Sequence, residues 1–540
     1  MNVSLDLTPR PRLRMTRLLP LIAGATLWFS TAPAQVAHRD TSFLSEAALK
    51  ELLYNFADDS MLGRTARAGG HDRAVLLLAR ELQRAGLEPA GENGSYVQTV
   101  PLVRRSLDTA TTMTVSVATL KLLDDFIPFL PQAGQPRSIN GVQVVFGGRL
   151  ADSSSYISAA AAANKIVLLD APTDLTRARV FRGVTFSAGG RFGSAAAVAL
   201  ATLDSIPRHE RLPFSSLRLE DGTSRNLAEN PTSILVTQQA ASKLLGRPLS
   251  GARPGDLGEI VRGRIVASEQ PQPVRNVVAR LTGADPARAG QYVAIGAHSD
   301  ALGVGSPLNA DSLRRVRRAQ LFGIDTGVAT PASPNAAALD SIYNGADDNG
   351  SGSVAVLVVA KALVAARPRP RRSVLFLWHA AEEAGLRGSS WFTAHPTVPL
   401  DSMIAYINLD MVGRGGEADI PGGNPDFVRL LSVEPADYGL ADAIRRSNQG
   451  QDRPLALDGT DPEQAICRSD QLPFMRAGIP VAMLTTGSHA DYHAVSDEAQ
   501  YIDYGKLSRI AVLMRDCLLV LAREFERPAA VSGVLRQPCG

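Results

Sequence analysis

Gly345-Ala346-Asp347-Asp348-Asn349-Gly350-Ser351-Gly352 opens the stretch from which the rest of the chain can be read. This acidic, turn-rich cluster leads straight into the apolar run from Val354 to Ala366, whose length and composition predict a buried helix. A basic, proline-broken loop from Arg367 to Arg372 follows, then Val374-Leu375-Phe376-Leu377-Trp378, a continuous apolar run of the kind found in strands covered on both faces. Glu382-Glu383 comes just after that strand. Carboxylates past a strand end, close to an aspartate pair at the mouth of the preceding helix, repel one another strongly unless cations sit between them. The stretch therefore predicts an α/β fold with a metal site on it.

Outward from there the same texture recurs. Apolar runs at Asn276 to Leu281, Tyr292 to Ala297, Met403 to Leu409 and Val481 to Leu484 alternate with helical patterns, including a long amphipathic one over 502–525. Strands alternating with helices predict an α/β/α sandwich around a mostly parallel sheet. Near the N-terminus, 45–61 and 72–85 have helical spacing, with Ala74, Leu78, Leu82 and Ala85 on one face and Gly86 as the stop; Tyr96 to Val100 reads as a strand. Between 106 and 268 the runs shorten, Gly and Pro turns multiply, and an Ala-rich helix is expected over 155–163. This interval reads as an inserted β-rich domain. The expected organisation is a signal peptide (1–34), a catalytic domain in two parts (35–105 and 269–526), the insert (106–268) and a loose tail (527–540).

Arg10, Arg12, Arg14 and Arg17 precede the apolar segment Leu18 to Phe29, and Ala32-Pro33-Ala34 follows: the pattern of a secretory signal peptide, implying a periplasmic or secreted protein. No later apolar run reaches about 20 residues, so no transmembrane anchor is expected. The formal charge of +3 resides in that leader, leaving the remainder near neutral and giving no support to a nucleic-acid partner. Of the three cysteines, Cys467, Cys517 and Cys539, all could be small buried residues, or two could form one disulfide.

Potential ligands follow successive strands: His298, then Glu382 and Glu383, then Asp410, then His493. Open α/β sheets place their sites at the carboxyl ends of strands. Mixed imidazole and carboxylate ligands suit zinc, with cobalt or manganese as alternatives, and a shared carboxylate would set two ions about 3.5–4 Å apart.

His298-Ser299-Asp300, Gly345-Ala346-Asp347-Asp348-Asn349, Glu382-Glu383, Asn408-Leu409-Asp410-Met411 and Asp491-Tyr492-His493 together resemble, in order, the five motifs of the co-catalytic di-zinc exopeptidases, metallopeptidase family twenty-eight. The resemblance covers roughly 44–105 and 270–525. It implies two zinc ions: His298 and Asp410 on one, Glu383 and His493 on the other, and Asp348 bridging. It also implies Glu382 as general base, Asp300 orienting His298, and Tyr492 donating to the oxyanion or simply packing beside the site. The activity implied is that of an aminopeptidase acting through a metal-activated water on peptide substrates. Carboxypeptidase action, with Arg414 or Arg468 holding the substrate carboxylate, and a noncatalytic binding ectodomain are the alternatives.

The insert resembles a protease-associated domain. Two departures from the family pattern stand out: Gln471 occupies a position where many relatives have His, and 44 residues separate Asp300 from Gly345. His71, His379, His395 and His489 are not read as ligands, and the Arg-rich segments 314–318 and 367–372 read as solvated surface. Oligomeric state is not legible.

Overall fold

The computed structural model describes residues 42–65, 69–116, 118–130, 137–150, 152–171, 191–206, 215–219, 231–323, 339–432, 439–524 and 539. The expected signal peptide, and all of the expected tail except Cys539, lie outside these residues.

At the centre is a nine-stranded sheet. Across it run Glu88–Pro89, Val274–Leu281, Ser373–His379, Tyr292–His298, Met403–Leu409, Val481–Thr485, Phe427–Ser432 and Ala456–Asp458, with Val97–Val100 also pairing to Val274–Leu281. The four central strands are parallel, whereas Val274–Leu281 and Phe427–Ser432 join them antiparallel. Parallel pairing returns at one edge, where Ala456–Asp458 runs alongside Phe427–Ser432. Strand direction was not readable, because an apolar run has the same periodicity either way.

Every residue of Tyr292–His298, Ser373–His379 and Met403–Leu409 is buried. Alternate side chains serve opposite layers. Val293, Ile295, Ala297, Val374, Phe376 and Trp378 pack with the helices Glu46–Phe56, Gly70–Ala85, Gly352–Ala365 and Tyr504–Glu524. Ala294, Leu375, Leu377 and Tyr406 face Phe392 and Phe474 on the other side. The stretch Ala346–Ala365 is, among the described residues, long and apolar enough to cross a membrane, but 83% of its apolar window is buried inside the fold. It is the core helix beside the sheet.

Eight further strands lying between Thr112 and Ile265 make a second sheet with a hydrophobic core of its own. A three-stranded sheet of Ser215–Leu219, Leu102–Leu107 and Ala267–Pro271 adjoins both ends of that interval in sequence. The expected helix at 155–163 shrinks to Ala159–Ala162: Ser158 Oγ accepts from Ala161 N–H at 3.2 Å and starts it late, and Asn164, at φ 57°, lies just past its end. Cys467 and Cys539 form a disulfide, and Cys517 is a buried free thiol. Cys539 is also packed in the core cluster that contains Phe392 and Phe474. The tail is therefore tied down at that residue, which spacing alone could not reveal.

Candidate metal centre

Four parallel strands end on one edge of the sheet, and each supplies chemistry there. Tyr292–His298 ends in His298, Met403–Leu409 runs into Asp410, Ser373–His379 is followed by Glu382 and Glu383, and the loop after Val481–Thr485 carries His493. Asp348 sits on the irregular turn Ala346–Ser351 that starts the core helix. Its two carboxylate oxygens point to different histidines: Oδ1 is 3.2 Å from His298 Nε2, and Oδ2 is 3.2 Å from His493 Nε2. Asp410 Oδ1 lies 3.5 Å from His298 Nε2, and Glu383 Oε2 lies 3.1 Å from His493 Nε2. Two ligand sets result, His298/Asp348/Asp410 and Asp348/Glu383/His493, sharing one aspartate.

These residues fit zinc. Ligand atoms about 2.0–2.2 Å from a tetrahedral ion stand roughly 3.3–3.6 Å from one another, close to the 3.1, 3.2 and 3.5 Å found here. Asp410 Oδ1 and Glu383 Oε1 are buried without a hydrogen-bond donor, a costly state for a carboxylate lacking a cation. Glu382 belongs to neither set, with Oε2 4.0 Å from His298 Nε2.

Charge crowding shifts four of these groups. Burial disfavours the charged form of His298, yet Asp410 and Glu382 outweigh it and hold its pKa well above the usual value. Burial likewise opposes His493, but hydrogen bonds to Asp348 and Glu383 raise it to about 10. Burial and the Asp348 charge push Glu383 up to about 7. Burial also raises Glu382, with Glu383, Asp470 and Asp410 adding to it. The clustered carboxylates favour positive charge on both imidazoles, and divalent cations would supply that charge instead.

The ligands are held by a buried network that the sequence did not announce. Asp347 accepts from Gly413 N–H through Oδ1 (2.7 Å) and from His489 through Oδ2 (3.1 Å). His489 Nδ1 accepts the Asp491 N–H at 3.2 Å, so the ring proton sits on Nε2. Asn349 donates to Leu409 O at 2.8 Å, and Asp497 accepts from the N–H groups of Asp347 and Asp348. Arg64, fully buried, donates to Ser299 O (3.1 Å), Phe56 O (3.1 Å), Asn344 O (2.6 Å) and Gly345 O (2.8 Å). That guanidinium pins together the two ends of the long connection between the first two motifs. The preceding Gly63, at φ 58°, has room for no side chain, since a Cβ would stand 2.5 Å from Gly303 O.

Other expected residues take more specific places. Asp300 reaches the His298 ring through its main-chain carbonyl, 3.2 Å from Nδ1, while its carboxylate accepts the N–H groups of Glu382 (3.0 Å) and Glu383 (3.3 Å). It orients the Glu pair as much as the histidine. Tyr492 stacks on His493 with ring centroids 3.9 Å apart, and burial followed by the Asp348 and Glu383 charges raises its pKa. Gln471 is buried and accepts from Asn408 at 2.8 Å, bracing the strand before Asp410. Its neighbour Asp470 is fully buried, and neither carboxylate oxygen makes a hydrogen bond of good geometry. His379 is packed between Tyr406, Phe392 and Phe474, its Nε2 3.1 Å from the Tyr406 hydroxyl.

Three sequence expectations need correction. Arg414 is 2% exposed and bound to Asp419 (2.6 Å) and Asp491 (2.9 Å), which leaves it no access to a substrate carboxylate. Segment 314–318 is not simply solvated: Arg314 donates to Asp491 at 3.0 Å and lies over the Tyr501 ring, and Arg317 donates to Tyr492 O at 2.9 Å. In 367–372, Arg372 is buried and donates to Gln291 at 2.7 Å. Charge runs read as surface because their partners are remote in sequence.

An open α/β sheet with two imidazole–carboxylate groupings at its parallel strand ends makes a candidate centre for two metal ions. Residues 276–518 match the model described as Peptidase family M28. Leupeptin-inactivating enzyme 1 of Streptomyces exfoliatus is 34% identical over 165 residues, which is 30% of this chain and 34% of that protein. An aminopeptidase of Pseudomonas aeruginosa (strain UCBPP-PA14) is 33% identical over 176 residues, 31% of this chain and 30% of its own. The match thus spans about a third of these relatives' lengths. Among solved structures, the aminopeptidase from Aneurinibacillus sp. strain AM-1 superposes with a TM-score of 0.52 at 16% identity, covering 91% of this chain and 97% of that one. A zinc aminopeptidase from Bacillus subtilis gives 0.50 at 15% identity, covering 90% and 97%. At these identities the likeness is one of fold.

Proposed function

We propose that the protein is an exported zinc aminopeptidase that binds two zinc ions and removes N-terminal residues from peptides. The observation that carries this reading is Asp348 facing both His298 and His493 at 3.2 Å, with Glu382 beside but outside both ligand sets. Bound zinc would supply a Lewis acid that polarises the scissile carbonyl and lowers the pKa of water. Glu382 then takes the proton of the attacking water and passes it to the leaving amine; Asp300 holds its main chain for that task. The Tyr492 hydroxyl is a donor for the developing oxyanion. Carboxylate oxygens of this acidic centre that are not committed to metal are charge-assisted acceptors for the substrate ammonium.

The terminal-carboxylate alternative is weaker, because Arg414 is committed to Asp419 and Asp491; Arg468 is an exposed cation whose charge reaches Tyr492. Export is supported by the arginine-then-apolar leader and its A-x-A end, and by a disulfide suited to an oxidising compartment. We read 106–268 as a protease-associated-like accessory domain. The test pairs elemental analysis of protein purified without chelators with assays on amino-acid amides carrying free or acetylated amines. About two zinc ions per chain and hydrolysis confined to free amines are expected. C-terminal trimming of N-acetylated peptides, with no action on free-amine amides, would overturn the assignment.

A further inference from the structure

His493 stands in a strained piece of backbone. Asp491–Ala494 is a four-residue turn closed by Ala494 N–H donating to Asp491 O at 3.0 Å, and Tyr492 N–H is anchored on His489 O at 3.1 Å. His493 takes the third position of that turn with φ 53°, in the left-handed region. A positive φ there suits glycine; a residue with a side chain is normally better placed with the central peptide turned over, which makes its φ negative. Turning the Tyr492–His493 peptide over would swing the Tyr492 carbonyl to the other side of the turn. It would also re-aim the His493 ring, whose Nε2 now lies 3.2 Å from Asp348 Oδ2 and 3.1 Å from Glu383 Oε2.

The carbonyl that this flip would move is held by a residue outside all five motifs. Arg317, on the helix Ala310–Leu321, donates to Tyr492 O at 2.9 Å. Among the described residues that oxygen accepts from Arg317 alone. The same helix is docked on the turn by Arg314, which donates to Asp491 Oδ2 at 3.0 Å and sits 3.7 Å from the Tyr501 ring centre. Asp491 has further supports in Arg414 (2.9 Å) and Ser496 (2.7 Å), so its position does not depend on that helix. Resting on the two-zinc reading, we infer that Arg317 is a positioning residue: its hydrogen bond holds the Tyr492–His493 peptide in the orientation that presents His493 to Asp348 and Glu383. A hydrogen bond from a charged donor is of the same size as the cost of one left-handed residue, so this single contact can set the balance. Loss of such a support weakens metal binding about 10–100-fold. The loss should fall on one site of the two, because His298 and Asp410 are carried by other strands.

The experiment titrates zinc into the metal-free full chain by calorimetry, with urea midpoints measured alongside. Wild type should show two sites. Arg317→Met should weaken one of them at least about tenfold and leave the other unchanged. Arg317→Lys, which keeps a charged donor, should recover part of the loss, and Arg315→Met, at an exposed neighbour on the same helix, should change neither site. Arg317→Gln keeps a neutral donor on a shorter side chain; it should lose less at the same site, and it carries the comparison if Arg317→Met does not fold. A folded Arg317→Met protein with both affinities at the wild-type value, or with both weakened alike, overturns the inference. So does an Arg317→Gln protein with no loss where only that variant folds. A wild type that takes up fewer than two zinc ions overturns the two-zinc reading itself, and this inference with it.

Discussion

Replacing Arg64 by Met tests whether a residue outside every motif assembles the site. The guanidinium donates to Phe56 O, Ser299 O, Asn344 O and Gly345 O in a fully buried setting. Each carbonyl left without a donor there costs at least about 1 kcal/mol. Four such losses, offset in part by no longer burying a charge, give a destabilisation of about 3–4 kcal/mol, a large share of a total near 5–15 kcal/mol. Arg64→Lys should recover only about half of this, because one ammonium cannot reproduce the planar fork that spans four acceptors. Urea unfolding followed by tryptophan fluorescence measures the loss. Zinc content should fall in parallel, since Ser299 follows His298 and Gly345 opens the turn bearing Asp348. An Arg64→Met protein within about 1 kcal/mol of wild type and carrying full metal would refute the argument.

Glu382→Gln should keep its zinc while turnover falls by about 10² or more, the scale of lost general-base catalysis; Asp348→Asn should lose metal by elemental analysis, and two metal-replete, active variants would refute both roles. Breaking the Cys467–Cys539 disulfide, which closes a loop of sequence separation 72, should lower stability by roughly 4 kcal/mol on the chain-entropy model, read as a shift in the urea midpoint between reduced and oxidised protein. Burial would raise the Asp419 pKa, but its bonds to Arg414 outweigh that and lower it. The stability it adds is therefore fully present above about pH 4 and is lost as pH falls through the depressed folded pKa; Arg414→Gln should shallow the acid limb of the stability–pH curve measured by urea unfolding.

His298, Asp348, Glu382, Glu383, Asp410 and His493 were legible because each lies beside an apolar run or on a turn that marks its own position. The structure brings all six together. Arg64, His489, Asp497 and Asp470 carried no such signal. Arg64 acts on carbonyls of any residue type, three of them 235 to 281 positions away. His489 and Asp497 brace Asp347 and Asp348 through N–H groups and a ring proton, contacts that leave no trace in periodicity. The antiparallel joining of Val274–Leu281 and Phe427–Ser432 to the central strands and the Cys467–Cys539 pairing were hidden for the same reason: they are set by tertiary placement.

The 44-residue excursion between Asp300 and Gly345 begins and ends under one guanidinium, which holds Ser299 and Asn344 in fixed relation. Closing entropy grows only slowly with loop length, so residues can be added or removed within the excursion while both metal-binding motifs stay where they are. The connection therefore behaves as a socket. Segments of other lengths and surfaces that keep Arg317 in place could be exchanged between the same two terminals, changing what reaches the proposed metal centre without altering the residues that form it.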